Sequence, residues 1–235
     1  MSTLDYQRFA DGAQLAEALA VAVADNLAQG IATRGRALLA VSGGKTPLRF
    51  FHALSQRSLD WNKVVVTLVD ERWVPAEDAR SNAAFVRANL LQGAAAAAGF
   101  APLYQAGIAT PEEGVHAVAA RIAMLDLPFD ALVLGMGEDG HTASFFPGGD
   151  KLAEATDPHG DALVLPMRAP GAGEPRITLT LPAILDSRAI YLHIEGERKR
   201  EVLESARYVA ATNRAYPISA VLGNAHAPVR VYWCP

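Results

Sequence analysis

Apolar residues along this chain fall into two patterns that alternate from one end to the other. Short unbroken apolar runs are typical of strands covered on both faces, whereas longer stretches that mix apolar and polar positions favour helices. The short runs predict strands over residues 37–41, 64–69, 131–134, 177–181, 190–194 and 229–233. The longer stretches predict helices over residues 14–29, 81–91, 111–124 and 197–208.

Residues at the ends of two helices fit this assignment. Gly30 follows the first helix and is expected to end it, and Thr110 is expected to cap the helix that starts with Pro111. Because strands and helices alternate, we predict an α/β protein with a mostly parallel sheet and helices on both faces. A length of 235 residues fits one large domain or two small ones, and we predict a single domain over residues 1–235.

Two segments lack either pattern. Residues 94–98 are all alanine and are interpreted as a low-complexity helix end. Residues 157–175 are rich in proline, glycine and charge, and form the one long irregular stretch. We expect a flexible loop over the functional site rather than a linker, because strands resume directly after it.

Composition narrows the class of protein. A formal charge of −4 and a pI near 5.9 give no reason to expect nucleic acid or an anionic membrane as a partner. An anionic substrate would therefore need a local basic pocket. Cys234 is the only cysteine, which excludes a disulfide framework and a cysteine-based metal site.

The sequence also gives no indication of a secretory or membrane-spanning segment. The first residues, MSTLDYQRFADG, include acidic side chains and no apolar core, so we expect no secretory signal. No apolar run approaches the roughly 20 residues that span a bilayer. We expect a cytoplasmic protein.

The most informative segment is LGMGEDGHTASFFP, residues 134–147, which follows an apolar strand directly. Its glycines permit backbone conformations that other residues disfavour, and the last of them separates Asp139 from His141. An imidazole can take up and return a proton near neutral pH. Since the carboxyl end of a strand in an α/β sheet is where substrates usually bind, we predict a catalytic loop here.

Two further loops also follow predicted strands. Ser42, Gly43 and Gly44 in VSGGKTP could present backbone N–H groups and a hydroxyl to an anion at a helix N-terminus. A plain strand-to-helix turn is the alternative. In VDERWVP, Asp70 is expected to face inward and Arg72 could bind phosphate or carbonyl oxygen, while a solvated turn is a good alternative for Glu71. Strand ends of a parallel sheet share one edge, so these loops should meet.

Other candidate chemistry is weaker. The remaining histidines lack an acid-and-glycine setting and are interpreted as surface or core residues: His52, His116, His159, His193 and His226. No HxH or HExxH spacing occurs, so no metal site is expected. The absence of a GxSxG elbow leaves a serine-hydrolase mechanism little support.

With these loops together, the sequence resembles the 6-phosphogluconolactonase family and, more distantly, glucosamine-6-phosphate deaminase. The matching segments run in family order: SGGKTP, VDERWVP followed by SN, LGMGEDGHTASFFPG, RITLT and GERKR. The resemblance implies a three-layer α/β/α Rossmann-like fold of the sugar-phosphate isomerase/lactonase type. It also implies hydrolysis of 6-phospho-D-glucono-1,5-lactone in the pentose phosphate pathway, without metal or organic cofactor. We expect this sugar-phosphate lactone to be the only binding partner, and the protein to be a monomer or a small homo-oligomer.

Two positions separate the lactonases from their deaminase relatives. The deaminases carry a glutamate five residues beyond the histidine, where this chain has Phe146, which does not ionise. They also carry a tyrosine where this chain has Arg72. Both differences favour the lactonase over the deaminase. A catalytically inert sugar-phosphate-binding protein on the same fold is the rival of another class, and the presence of Asp139 and His141 opposes it.

The resemblance and the chemistry of lactones give the site residues their expected roles. His141 is expected to activate water and then protonate the ring oxygen, with either Asp139 or Asp70 orienting its ring. Lys199 matches the phosphate-binding lysine of the deaminases, although GERKRE alone would also be an ordinary charged helix start. The expected binding residues are Ser42, Gly43, Gly44, Arg72, Lys199 and Arg176, with Arg168 as the alternative to Arg176 and Lys45 as a possible addition.

Overall fold

A parallel sheet of seven strands forms the centre of the molecule, in a computed structural model that describes residues 4–208 and 216–235. From one edge to the other its strands are β1 (Asp5–Arg8), β10 (Arg230–Cys234), β9 (Ile190–Glu195), β6 (Ala131–Leu134), β2 (Ala37–Val41), β3 (Val64–Leu68) and β5 (Gly99–Ala101). The central strands are buried along their whole length, as their unbroken apolar runs predict.

Eight helices join and flank the strands in the described part of the chain. They are α1 (Gly12–Arg34), α2 (Leu48–Ser55), α3 (Asn82–Asn89), α4 (Pro111–Ala123), α5 (Leu152–Ala155), α6 (Leu181–Leu185), α7 (Glu197–Tyr208) and α8 (Ile218–Asn224). The alanine run lies in a short 3₁₀ helix, Gly93–Ala97.

The direction of the crossovers places helices on both faces of the sheet. The connections β1 to β2, β2 to β3 and β3 to β5 run towards the β5 edge, and those from β5 to β6, β9 and β10 run back. Right-handed crossovers put these two groups on opposite faces. Helix contacts agree, since α1 packs on α2 and α2 on α3, while α6 and α7 pack on α8. The three-layer α/β/α arrangement is therefore confirmed.

A second, antiparallel sheet corrects two of the predictions. Asp70–Arg72 forms strand β4, which pairs with β8 (Arg176–Leu179), and β8 pairs in turn with β7 (Val164–Met167). The predicted strand over 177–181 thus belongs outside the parallel sheet, and residue 181 already begins α6. The prediction of one irregular stretch over 157–175 is also wrong, because it contains the buried strand β7.

The end of α1 is a third correction. The helix continues past Gly30 and ends at Gly35, whose φ of +75° suits a helix C-terminus. Gly30 instead serves packing, because a Cβ there would lie 2.7 Å from the carboxyl group of Asp130. Among the described residues only α1 has the length and composition of a membrane span, but one of its faces, including Leu15 and Leu19, is buried in the core, as in a core helix of a soluble protein.

Candidate active site

The strand order reverses between β2 and β6, which are neighbours whose following connections leave in opposite directions. Open α/β sheets bind ligands in the crevice outside the strand ends at such a point. A cavity of about 340 Å³ lies there, within the usual size range of small-molecule sites. Eight of the nine predicted site residues line it: Ser42, Gly43, Gly44, Asp70, Arg72, His141, Arg176 and Lys199.

The ninth residue, Asp139, lies behind His141. Asp139 Oδ1 is 2.6 Å from His141 Nδ1 and also accepts a hydrogen bond from the His141 backbone N–H at 3.1 Å. Gly137 makes this possible, because a Cβ there would lie 2.3 Å from the imidazole ring. A carboxylate only accepts hydrogen bonds, so Nδ1 carries the proton and Nε2 is the nitrogen left for chemistry.

Phe146 forms the other side of the histidine. Its ring stacks on the imidazole of His141 with centroids 4.4 Å apart and planes inclined by 27°. The Arg176 guanidinium carbon lies 5.4 Å from the centre of the same phenyl ring. Phe146 is almost fully buried, and the turn leading to it includes Ala143 at a φ of +46°, a conformation that costs a non-glycine residue energy.

Asp70 is held by a different set of donors. Its Oδ2 accepts a hydrogen bond from the Ser144 hydroxyl at 2.6 Å and lies 3.6 Å from Arg176 Nη1. Its Oδ1 accepts from Asn82 Nδ2 at 3.3 Å. In the described part of the chain Asp139, and not Asp70, is the acid that contacts the ring of His141.

Arg176 and Arg168 are clearly separated by the structure. Arg176 is buried, donates to the carbonyl of Ala172 and lines the cavity. Burial lowers the pKa of Arg176, and the carboxylate of Asp70 partly offsets this. Arg168 is exposed, forms a two-pronged ion pair with Glu112 at 2.7 and 3.1 Å, and lies outside the cavity lining.

Glu71 contradicts the solvated-turn interpretation. Its side chain is fully buried. Its carboxylate accepts hydrogen bonds from the backbone N–H groups of Arg72, Asn82 and Ala83, each at 2.7 Å, and from the Ser81 hydroxyl. Glu71 therefore anchors the N-terminus of α3, a position where helix geometry leaves N–H groups unpaired. Burial raises the pKa of Glu71, outweighing these four donors.

The loop after β2 also departs from its predicted form. Three residues, Lys45 to Pro47, separate Gly44 from the first residue of α2, so the glycines do not themselves begin the helix. The Ser42 hydroxyl donates to the carbonyl of Val133 at 3.2 Å and accepts from the N–H of Gly135 at 3.0 Å. The Ser42 hydroxyl thereby links the loop after β2 to β6 and to the residue that follows it, and its proton is already donated to Val133.

The sequence interpretation missed two residues that line the cavity. Asn82 was identified only as part of the SN motif, and His193 only as a surface or core histidine. His193 is nearly fully buried, and its Nε2 lies 3.2 Å from Glu195 Oε1. This hydrogen bond is the largest of the effects that lower the pKa of Glu195, and Lys199 adds to it. The position of His193 near the end of β9, three residues after Ile190, was the available signal.

The structure brings together no group of three or more potential metal ligands among residues 4–208 and 216–235. The cavity is instead lined by two imidazoles, one carboxylate and several cationic side chains. Such a set can bind an anion, move a proton and orient a neutral ring.

Comparisons with known proteins identify the family of the chain. The family described as glucosamine-6-phosphate isomerases/6-phosphogluconolactonase matches residues 10–233. The 6-phosphogluconolactonase of Mesorhizobium japonicum is 53% identical, with 100% of this chain and 97% of that protein covered. That of Pseudomonas aeruginosa is 43% identical over 97% and 94% of the two chains.

Solved structures give the same result. The crystal structure of a 6-phosphogluconolactonase from Shewanella baltica superimposes with a TM-score of 0.93 at 41% identity, covering 99% of this chain and 98% of that one. The Trypanosoma brucei 6-phosphogluconolactonase has a TM-score of 0.84 at 22% identity, covering 100% and 97%. The second of these is a likeness of fold alone.

Proposed function

The chain belongs to the family of glucosamine-6-phosphate isomerases and 6-phosphogluconolactonases, and we propose that it hydrolyses 6-phospho-D-glucono-1,5-lactone with His141 as the general base. Its full-length likeness to lactonases makes it a lactone-hydrolysing enzyme of the pentose phosphate pathway. The contact between Asp139 Oδ1 and His141 Nδ1 is the observation that carries the proposed mechanism.

The first step is attack of water on the lactone carbonyl. With its Nδ1 proton held by Asp139, His141 has an unprotonated Nε2 that can take a proton from water as the oxygen bonds to C1. The carboxylate of Asp139 stabilises the imidazolium that results, as a carboxylate does in hydrolytic triads. The π electrons of C1=O move to the carbonyl oxygen, which becomes the oxyanion.

The second step opens the ring. The oxyanion reforms the C=O bond, the bond between C1 and the ring oxygen breaks, and the imidazolium of His141 returns its proton to that oxygen. The product is 6-phosphogluconic acid, whose new carboxyl group loses its proton to solvent to give 6-phosphogluconate, and His141 is again neutral. Arg72 and Arg176 line the same cavity and supply positive charge near the developing oxyanion.

Binding of the phosphate fixes C1 near His141. Lys199 lies in the first turn of α7 and lines the cavity, and Ser42, Gly43 and Gly44 line the same cavity. Because the phosphate takes no part in bond breaking, its contacts act through orientation. No step of this reaction uses a metal ion or an organic cofactor. We infer that the enzyme needs neither, and that it works in the cytoplasm.

Phe146 favours the lactonase over the deaminase reaction. An uncharged ring stacked on His141 at 4.4 Å gives no second proton-transfer group beside the imidazole. Isomerisation and deamination of an amino sugar phosphate need proton transfers at carbon, whereas lactone hydrolysis needs only transfers between oxygen and nitrogen.

The test is an assay on both substrates with the purified protein. The lactone is generated from glucose-6-phosphate by its dehydrogenase, and its disappearance is compared with the spontaneous rate, with and without a chelator. We expect acceleration that the chelator leaves unchanged, and no ammonia from glucosamine-6-phosphate. Lactone loss at the spontaneous rate, or ammonia release, would contradict the proposal.

A further inference from the structure

Asn82 is a buried polar residue on the cavity wall that the mechanism above does not use. It is the first residue of α3 and is only 3% exposed. Its backbone N–H donates to Glu71 Oε1 at 2.7 Å, so its position is set by the anchor of the helix. Its side chain is thereby directed into the space between two of the loops that form the cavity.

The carboxamide of Asn82 contacts both of these loops. Nδ2 donates to the carbonyl of Asp70 at 2.9 Å and to the carboxylate Oδ1 of Asp70 at 3.3 Å. Two acceptors on this side fix the orientation of the amide, since only its nitrogen can donate. Oδ1 then faces the opposite way, towards Gly43, where a Cβ would lie only 1.9 Å from it.

Asp70 is therefore held at both of its oxygens. Asn82 donates to Oδ1, and the Ser144 hydroxyl donates to Oδ2, which also faces Arg176. Removal of the amide would free one side of this carboxylate and one side of the glycine loop together. The loss of the amide would then alter the position of Arg176 through Asp70, and the position of the proposed phosphate-binding loop through Gly43.

We infer that Asn82 is a positioning residue for lactone hydrolysis, whose amide holds the carboxylate of Asp70 and the glycine loop in one arrangement. This inference rests on the proposed function, because it concerns the same cavity. The inference goes beyond the proposed function, because it assigns a role to a residue that contacts neither His141 nor Asp139 in the described structure. It also explains why residue 43 is a glycine.

In Asn82→Asp, an ionised carboxylate would repel Asp70, where the amide of Asn82 donates a hydrogen bond to it. Aspartate has nearly the same shape as asparagine but places a carboxyl group about 3 Å from that of Asp70, and two carboxyl groups at this distance share a proton well above the pH at which one alone ionises. When that proton is present it can replace the amide donor; when it is lost, the two charges repel. Asp70 and Glu71 contact Asn82 directly, and the other charged or titratable side chains that line the same cavity are Lys45, Arg72, His141, Arg176, His193 and Lys199.

The experiment compares Asn82→Asp with the wild type in the lactone assay over a range of pH. At about pH 8 we expect kcat/KM to fall about 10- to 100-fold, the effect of a lost hydrogen bond to a charged group. The ratio of variant to wild type should then rise as the pH falls to about 5, as the shared proton returns. Asn89→Asp, at the last residue of the same helix and outside the cavity lining, is the matched control and should follow the wild type throughout.

A second variant separates positioning from folding. Asn82→Ala removes the donor without adding charge, so its kcat/KM should fall by a similar factor and stay at a constant ratio to the wild type at every pH. A ratio for Asn82→Asp that does not change with pH overturns the inference, as does an Asn82→Ala enzyme within about twofold of the wild type. If Asn82→Asp does not fold, the Asn82→Ala result decides. Wild-type hydrolysis in the same assay shows independently whether the proposed function holds.

Discussion

At the scale of single residues, two aspartates in this chain make the same local turn with different results. Asp139 and Asp157 each stand two residues before a histidine and each accept a hydrogen bond from its backbone N–H, at 3.1 and 3.0 Å. Only Asp139 also contacts the imidazole ring, that of His141. The turn alone therefore does not make the pair, and the space left by Gly137 is what brings the ring onto the carboxylate.

This comparison gives a controlled prediction. In Asp139→Asn the Nδ1 proton of His141 loses its anionic acceptor, and the imidazolium that forms during attack loses its stabilising charge. We expect kcat for the lactone to fall by at least about tenfold, while Asp157→Asn leaves it unchanged. Equal activity of the two variants would mean that Asp139 has no part in the reaction.

Sequence reasoning worked well for residues whose chemistry is local and poorly for those whose role depends on burial. Asp139 and His141 were found because glycines and a preceding strand mark the loop. Three consecutive charges made a solvated turn a good alternative for Glu71, and the structure excludes it because Glu71 is buried. Its burial arises from the way β4 pairs with β8 and α3 folds back onto it, which no feature of the local sequence records.

At the scale of elements, Glu71 connects the small sheet to α3, and its substitution should change mainly the free energy of unfolding. In Glu71→Gln the side-chain NH₂ would face donors, so we expect a loss of about 1–3 kcal/mol in the free energy of unfolding. Because burial raises the pKa of Glu71 above about 4.5, the folded state binds this proton more tightly than the unfolded chain. The contribution of Glu71 is thus fully present below that pH, and it declines as the pH rises through the folded-state pKa.

Urea unfolding at several pH values measures both effects. The difference between wild type and Glu71→Gln should be largest near pH 4.5 and shrink towards neutral pH. Glu77→Gln, at an exposed glutamate in the segment between β4 and α3, should match the wild type. A difference that grows with pH would mean that the four donors outweigh burial.

The two strands of the small sheet that sequence patterns failed to predict, β4 and β7, share a physical reason. Strand β7 contains Pro166, which usually argues against a strand, but β7 is the edge of the small sheet, where a missing N–H is tolerated. Strand β4 consists of three charged residues and has no apolar pattern at all. Both strands form through pairing with β8. Five of the seven parallel strands could be recognised from their own apolar runs, whereas the edge strands β1 and β5 carry no such run and were not predicted.

At the scale of the whole molecule, the reversal of strand order between β2 and β6 brings distant segments to one cavity. Lys199, which comes after β9, shares that cavity with the glycine loop after β2. The right-handed crossover rule and the order of the strands together explain this meeting. The sequence could predict that the loops meet, but not that the side chain of His193 would join them.

Ligand binding at such a site should stabilise the fold as a whole. Product at about 100 times its Kd adds about 2.7 kcal/mol to the free energy of unfolding, so 6-phosphogluconate should raise Tm. In Lys199→Ala the same concentration should raise Tm less, because the cation proposed to contact the phosphate is missing. Lys151→Ala, which removes an exposed lysine paired with Glu154, should keep the full increase; an undiminished increase in Lys199→Ala would place Lys199 outside the phosphate site.

The decisive measurement is the rate of lactone hydrolysis by His141→Ala, set beside that of His116→Ala, which removes an exposed histidine on α4. If Nε2 of His141 activates water, kcat for His141→Ala falls by about two to four orders of magnitude, and both variants unfold at the wild-type temperature. His116→Ala retains full activity. A folded His141→Ala enzyme that loses less than about tenfold would show that another group activates water.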